Sequence, residues 1–352
     1  MNETILSAFS IPELDVDAGV RVKSYVDSLT VPHGSLGRLE ELIIELAEIT
    51  GSSFPEVSRP GVIVFAADHG VTAEGVSAYP KEVTEQMVRN FLNDGAAINV
   101  LSRSIDAYFN IVDIGIDSDI TLEGLTVKKV RRGTGNFAKE NAMTRTEVIE
   151  ALEIGYEQGL KMIERGAKCL ILGEMGIGNT SASSAIISVV SGEPIDTLVG
   201  SGTGLTKERV IHKRNIIEKA ILDRKPDPND PIDLLSKVGG LEIAGMAGAM
   251  LAAASDRTPI LVDGFISTTA AVVAKLISPR VVDYMFVGHE SIEPGHKKAI
   301  ELIGKQPLIN MRMGVGEGTG AAVAFPILKS ATLLLKEMAT FESAGVSSKT
   351  KT

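Results

Sequence analysis

Apolar positions along the chain follow two rhythms. Short continuous apolar runs at Val62–Ala66, Tyr108–Ile114, Cys169–Leu172, Ile260–Val262, Val281–Val287 and, less clearly, Leu308–Asn310 predict strands. Helical spacing fills the intervals at Pro80–Asn93, Thr146–Arg165, Thr180–Val190, Thr206–Leu222, Gly240–Ala254, Ser267–Ile277 and Pro294–Ile303, and returns at Gly318–Glu337. Two helices precede the first strand, Pro12–Leu29 and Ser35–Thr50. In the second, Leu39, Leu42, Ile43, Leu46 and Ile49 share a face and Gly51 can close the end. Thr144 with Glu147 makes a capping box, and Gly166 stops the helix it opens. Strands that are apolar throughout, separated by helices, indicate a parallel sheet covered on both faces. The predicted fold class is therefore α/β, a mainly parallel, doubly wound, Rossmann-like sheet over residues 56–319. Residues 1–55 and 320–345 are expected to pack as a small helical domain, and 343–352 to be a disordered polar tail. The Pro/Asp loop Asp223–Pro231 is the sharpest internal break.

Charge and composition narrow the class. The 352 residues carry 35 Lys+Arg against 45 Asp+Glu, a net −10, which argues against a nucleic-acid partner. Cys169 is the single cysteine, so no internal disulfide forms and a cytoplasmic location fits; in a predicted strand it reads as inert core. Met1–Ser10 has Glu3 and no Lys or Arg before its apolar run, unlike a secretory signal. Gly239–Ala254 is shorter than the ~20 residues of a membrane span, contains Glu242 and is rich in Ala and Gly. It reads as a closely packed buried helix, and no membrane partner is expected.

Glycine is in excess, 35 of 352 or about 10% against a usual ~7%, and it clusters after apolar runs. Ligands of open parallel sheets bind beyond the carboxyl ends of the strands. That rule selects the loops Ala67–Tyr79, Gly173–Thr180, Asp263–Gly264, Gly288–Gly295 and Arg312–Gly320. Gly173–Thr180 runs from a strand into a helix, so the amides of Gly176, Gly178, Asn179 and Thr180 could converge on a phosphate; capping is the simpler use. Gly200–Gly204 is a second such loop, followed by Lys207, Arg209, Lys213 and Arg214, most of them expected on a solvated face. Gly314–Gly320 mimics a dinucleotide fingerprint, but no acidic residue ends a following strand, which disfavours a nicotinamide cofactor. Glu317 inside it suits either a general base with a raised pKa or a carboxylate favoured by a helix start, and spacing alone leaves the two even. His289 and His296 lie seven apart with Pro294 between them, so a structural or substrate role outweighs a metal. Asp68-His69 is open between a ligand role and capping.

Seven strings occur in order: Pro32–Glu40, Ala66-Ala-Asp-His-Gly-Val71, Val83-Thr-Glu-Gln-Met-Val88, Gly173–Thr180, Gly240-Leu-Glu-Ile-Ala-Gly245, Val262-Asp-Gly-Phe265 and Gly316-Glu-Gly-Thr-Gly320. Together they resemble the nicotinate-nucleotide–dimethylbenzimidazole phosphoribosyltransferase family. The resemblance implies phosphoribosyl transfer from nicotinate mononucleotide to an aromatic base of the benzimidazole, purine or phenol kind. It implies a homodimer, with a heterodimer beside a paralogue left open, and neither cofactor nor metal. It places the catalytic carboxylate on Glu317 and the phosphate contacts on Gly176, Gly178, Asn179, Thr180, Gly202 and Lys213. The base pocket falls on Tyr79, Gln86, Met313 and Val315, with Glu174 and Asp263 as further substrate contacts. Ser201 stands where the family more often has Arg.

Overall fold

A computed structural model of the chain describes residues 10–200, 202 and 204–347. Readings that concern Met1–Phe9, Ser201 and Ser348–Thr352 lie outside those residues. Seven strands form one sheet: β1 (Gly61–Ala67), β2 (Tyr108–Gly115), β3 (Leu125–Val127), β4 (Leu170–Met175), β5 (Ile260–Val262), β6 (Met285–His289) and β7 (Pro307–Ile309). Their order is β3-β2-β1-β4-β5-β6-β7, and every pairing is parallel. This is the doubly wound α/β fold that the sequence predicts. The order reverses between β1 and β4, and to one side of that switch point a crevice opens beyond the ends of β4, β5 and β6.

The helices among the described residues are α1 (Val16–Val26), α2 (Arg38–Thr50), α3 (Val83–Leu92), α4 (Ala97–Ser104), α5 (Arg145–Glu164), α6 (Asn179–Ser191) and α7 (Ile195–Leu198). They continue with α8 (Lys207–Arg224), α9 (Pro231–Val238), α10 (Leu241–Ser255), α11 (Phe265–Ile277), α12 (Pro294–Ile303) and α13 (Thr319–Glu337). β1 and β4 are buried along their whole length, as their unbroken apolar runs require. The Thr144–Glu147 capping box forms reciprocally and starts α5.

The apolar segment around Gly239–Ala254 is core. A Cβ added to Gly155 would lie 1.9 Å from the Gly245 carbonyl oxygen, and one on Gly248 would lie 2.0 Å from that of Leu152. Glycine therefore lets α5 and α10 meet backbone to backbone. α13 is long and apolar enough to cross a bilayer, but half of it is buried inside the protein.

Four elements escape the sequence pattern, each for a local reason. β3 has three residues and an outward Val127, too short to show a rhythm. α4 is eight residues and α7 only four. α9 starts where the Pro/Asp loop was taken to end: Asp230 accepts from the Ile232 and Asp233 amides, with Pro231 in the first turn. That loop divides nothing, because β4 and β5 on either side of it are sheet neighbours. Residues 281–284, expected to begin a strand, belong instead to a 3-10 helix over Pro279–Tyr284, led by Pro279. Residues 343–347, expected in the tail, close a turn in which the Val346 amide reaches the Phe341 carbonyl. The terminal segments meet where the Thr30 amide donates to Ala339 and the Phe341 amide to Ser28.

Candidate active site

β4 delivers Glu174 to the crevice, and the chain then turns through Gly176-Ile177-Gly178 into α6. A Cβ on Gly176 would sit 2.5 Å from the Ala67 carbonyl oxygen, and Gly178 has φ +102°. Only glycine lets this turn press onto the end of β1. The Ile177 amide donates to Thr84 Oγ1 at 3.1 Å, that of Asn179 to the Gly176 carbonyl at 3.1 Å and that of Ser181 to Gly178 at 2.9 Å. The Gly178 and Thr180 amides meet no acceptor among the described residues, at the positive end of the α6 dipole. The expected four-amide cradle is therefore smaller. The Asn179 amide closes the turn, while its side chain donates to Glu174.

Lys213 of α8 is a buried cation at this end, with Nζ donating to Thr180 Oγ1 at 2.7 Å. Burial pushes its ammonium down to about 8, against the pull of the Glu293 carboxylate. A Cβ on Gly202 would lie 3.5 Å from Nζ, so the second glycine loop reaches the same corner. Of the other cations named with it, Lys207 and Arg209 are exposed and Arg214 is half-buried. Arg209 donates to the Gly75 and Ser77 carbonyls, and Arg214 to that of Val199.

At the other end stands Glu317. The backbone of its loop lies on β4 so closely that a Cβ on Gly173 would be 2.0 Å from the Glu317 carbonyl oxygen. Glu317 holds φ +66°, a left-handed conformation that costs a side chain-bearing residue about 1–2 kcal/mol. Its Oε2 is buried without a hydrogen-bond partner. Burial, and then the Asp263 carboxylate, push the Glu317 carboxyl up to about 7, while the Ile98 amide pulls the other way. Glu174 is pushed up to about 8, first by burial and then by Glu242, Asp263 and Glu317. The two carboxyl groups, Gly176, Asn179, Thr180, Gly202, Phe265, Ser291, Glu293 and Val315 line one cavity of about 170 Å³.

Several expected residues lie elsewhere. Asp263 is not a cavity wall. Its oxygens accept the Gly318 amide at 3.1 Å and the Ala321 amide at 2.8 Å, so it grips the start of α13. Tyr79 lines a different cavity, with Asp68, Lys81 and Arg132, and Gln86 is exposed on α3. Both therefore stand outside the Glu317 cavity. Met313 backs the wall only through its carbonyl, which accepts the Ile292 amide. Ser291, Glu293 and Phe265 went unnamed as site residues, although the strand-end rule selects the Ser291 and Glu293 loop and stops one residue short of Phe265.

The two histidines differ: His289 is buried with both ring nitrogens unpartnered among the described residues, Nε2 lying 3.6 Å from Asp263 Oδ1, whereas His296 is hydrogen-bonded at both nitrogens. His296 Nδ1 accepts the Ser291 amide at 2.8 Å and its Nε2 lies 2.9 Å from Thr268 Oγ1. Burial pushes its imidazole down to about 3, so it stays neutral and shapes the Ser291–Glu293 wall. Asp68 Oδ2 accepts the Asp117 amide, and His69 Nε2 pairs with Glu242 Oε1 at 2.6 Å. Among the described residues, no cluster of three His, Cys, Asp or Glu could hold a metal.

Residues 11–346 match the family described as Phosphoribosyltransferase. A nicotinate-nucleotide–dimethylbenzimidazole phosphoribosyltransferase from Halalkalibacterium halodurans is 52% identical over 96% of this chain and 95% of its own. The protein of that name from Geobacter sulfurreducens is 48% identical over 95% of each chain. The crystal structure of the Thermus thermophilus protein with this name matches with a TM-score of 0.90, at 40% identity, covering 96% of this chain and 100% of that one. With similarity of this extent, the chain belongs to the nicotinate-nucleotide–dimethylbenzimidazole phosphoribosyltransferase family.

Proposed function

We propose that this chain transfers the phosphoribosyl group of nicotinate mononucleotide to dimethylbenzimidazole, giving an α-ribotide 5′-phosphate and nicotinate. One observation carries the assignment of roles: a carboxylate with a buried, unpartnered oxygen shares a cavity with a helix start offering free amides. The 5′-phosphate sits against the Gly178 and Thr180 amides and Lys213, with Gly176, Asn179 and Gly202 shaping the turn. That anchor holds the ribose in line. Glu317 takes the azole N–H proton as the nitrogen attacks the anomeric carbon. The glycosidic electron pair leaves onto the pyridinium nitrogen, so the leaving group needs no acid. Attack opposite nicotinate turns β into α. A carboxyl held near 7 is a stronger base than an ordinary glutamate and is still about half ionised at neutral pH. Val315 and Phe265 are placed to flank the aromatic base.

The proposal includes a cytoplasmic homodimer, supported by the family resemblance, and a small unit made of residues 1–55 and 320–345, supported by the Thr30–Ala339 and Phe341–Ser28 hydrogen bonds. The test is chromatography of the purified chain with nicotinate mononucleotide and, separately, dimethylbenzimidazole, adenine and phenol. Ribotide formed fastest from dimethylbenzimidazole is the expected result. Turnover only with phenol, or only beside a second related chain, would replace this reading by the heterodimeric one.

A further inference from the structure

We infer that Asp263 is a positioning residue for the transfer, acting through Glu317 rather than on substrate. The inference rests on the reading of Glu317 as the base. Asp263 lies at the end of β5, is only 2% exposed and lines no part of the cavity. Its two oxygens hold the amides of Gly318 and Ala321, the first immediately after Glu317 and the second one helical turn on. The Asp263 amide is itself fixed by Ser267 Oγ at 3.3 Å.

Glu317 needs such a clamp. It holds a left-handed backbone, and a strained residue persists only where its surroundings over-determine it. Gly316 and Gly318 on either side are free to turn and cannot supply the constraint. A Cβ on Gly320 would lie 2.0 Å from His289 Cδ2, so the imidazole blocks the loop from sliding the other way. A neutral amide in place of Asp263 could accept only one N–H and would point its own donors at the other.

The clamp also carries charge. The groups facing Glu317 are Asp263 on β5 and Glu174 on β4; His289 on β6 approaches Asp263 with Nε2 3.6 Å from Oδ1, and Glu242 on α10 acts on Glu174. Burial pushes the Asp263 carboxyl up, while His289, the accepted amides and the positive start of α13 pull it back toward the ionised form. A buried negative charge there disfavours ionised Glu317, so the base keeps its proton to higher pH.

The experiment uses the full chain with nicotinate mononucleotide and dimethylbenzimidazole between pH 5 and 9. Asp263→Asn is expected to lower kcat roughly tenfold or more, to leave KM for the nucleotide within about twofold, and to move the acidic limb of the kcat profile to lower pH. In a Glu317→Gln background the same change is expected to cost almost nothing more, because the group it positions is gone. An unmoved limb, an equal loss in both backgrounds, or a raised KM with intact kcat would each overturn the inference. Asp263→Ser, which also removes the charge, serves if the Asn variant does not fold; if neither folds, Asp263 is structural and the inference fails. Near wild-type turnover of Glu317→Gln alone would instead remove the base reading, a result independent of the Asp263 variants.

Discussion

The two ends of the cavity are built on opposite terms. At Gly176–Thr180 every demanding backbone angle is carried by glycine, and the helix start offers amides already aimed at an anion. At Gly314–Gly320 a glutamate takes the angle that glycine would hold without strain, and it does so beside Asp263 and Glu174. One end has relaxed geometry; the other stores strain and charge repulsion in the ground state. In the proposed roles, grip on the part of the substrate that does not react is separated from the group that moves a proton, so the two should fail separately.

The largest effect expected is on turnover. Glu317→Gln keeps the shape and removes the proton acceptor, so kcat should fall by about 10²–10⁴ with nucleotide affinity nearly unchanged. Single-turnover kinetics with calorimetric binding would check it. A collapse of binding along with turnover would merge the two ends again.

Gly178→Val attacks the other end. The added side chain meets Thr72 Cγ2, 2.9 Å from the Cβ position, at φ +102°. Nucleotide affinity should drop roughly tenfold or more, about 1.4 kcal/mol, while circular dichroism keeps its folded signature.

Lys213 sharpens the contrast through pH. Its ammonium loses its proton near 8, so nucleotide binding should weaken as pH rises through that value. In Lys213→Met that dependence should vanish and binding be weaker throughout, by roughly 1.5–3 kcal/mol for a charged hydrogen bond. The base end has the opposite slope: wild-type kcat should climb as Glu317 loses its proton near 7.

The smallest effect concerns stability. Glu317→Gly should abolish most turnover yet raise folding stability by about 1 kcal/mol, by relieving the left-handed residue. The folded carboxyl is raised from 4.5 to about 7, so the native state binds the proton better and wild type loses stability as pH rises across that window. The advantage of the glycine variant should therefore widen from pH 4.5 to 7 in chemical denaturation. A variant less stable than wild type would show that the site holds no strain.

The sheet and the strand-end loops were legible because a strand buried on both faces leaves an unbroken apolar run, as Val62–Ala66 does. The glycine loops were legible because positive φ and close approach leave a glycine in the sequence. The clamp was not. Asp263 precedes a glycine after a strand, as a ligand contact would, and only its two acceptor distances show that it faces the loop. The wall formed by Ser291 and Glu293 depends on His296 folding back to the Ser291 amide, a contact with no spacing signature. Tyr79 and Gln86 carried aromatic and amide chemistry in the right order along the chain, but they stand outside the cavity they were assigned to.

The seam between α5 and α10 limits how this sequence can drift. Because Gly155 touches the Gly245 carbonyl and Gly248 that of Leu152, a single added methyl on either helix pushes backbone against backbone, and no rotamer change can relieve it. Substitutions there have no independent first step; two segments far apart in the chain must change together or not at all. Glu242, partner of the His69 that packs against Gly176 and Gly178, rides on α10. A shift at this seam would therefore carry through Glu242 and His69 to the Gly176–Gly178 turn that His69 packs against.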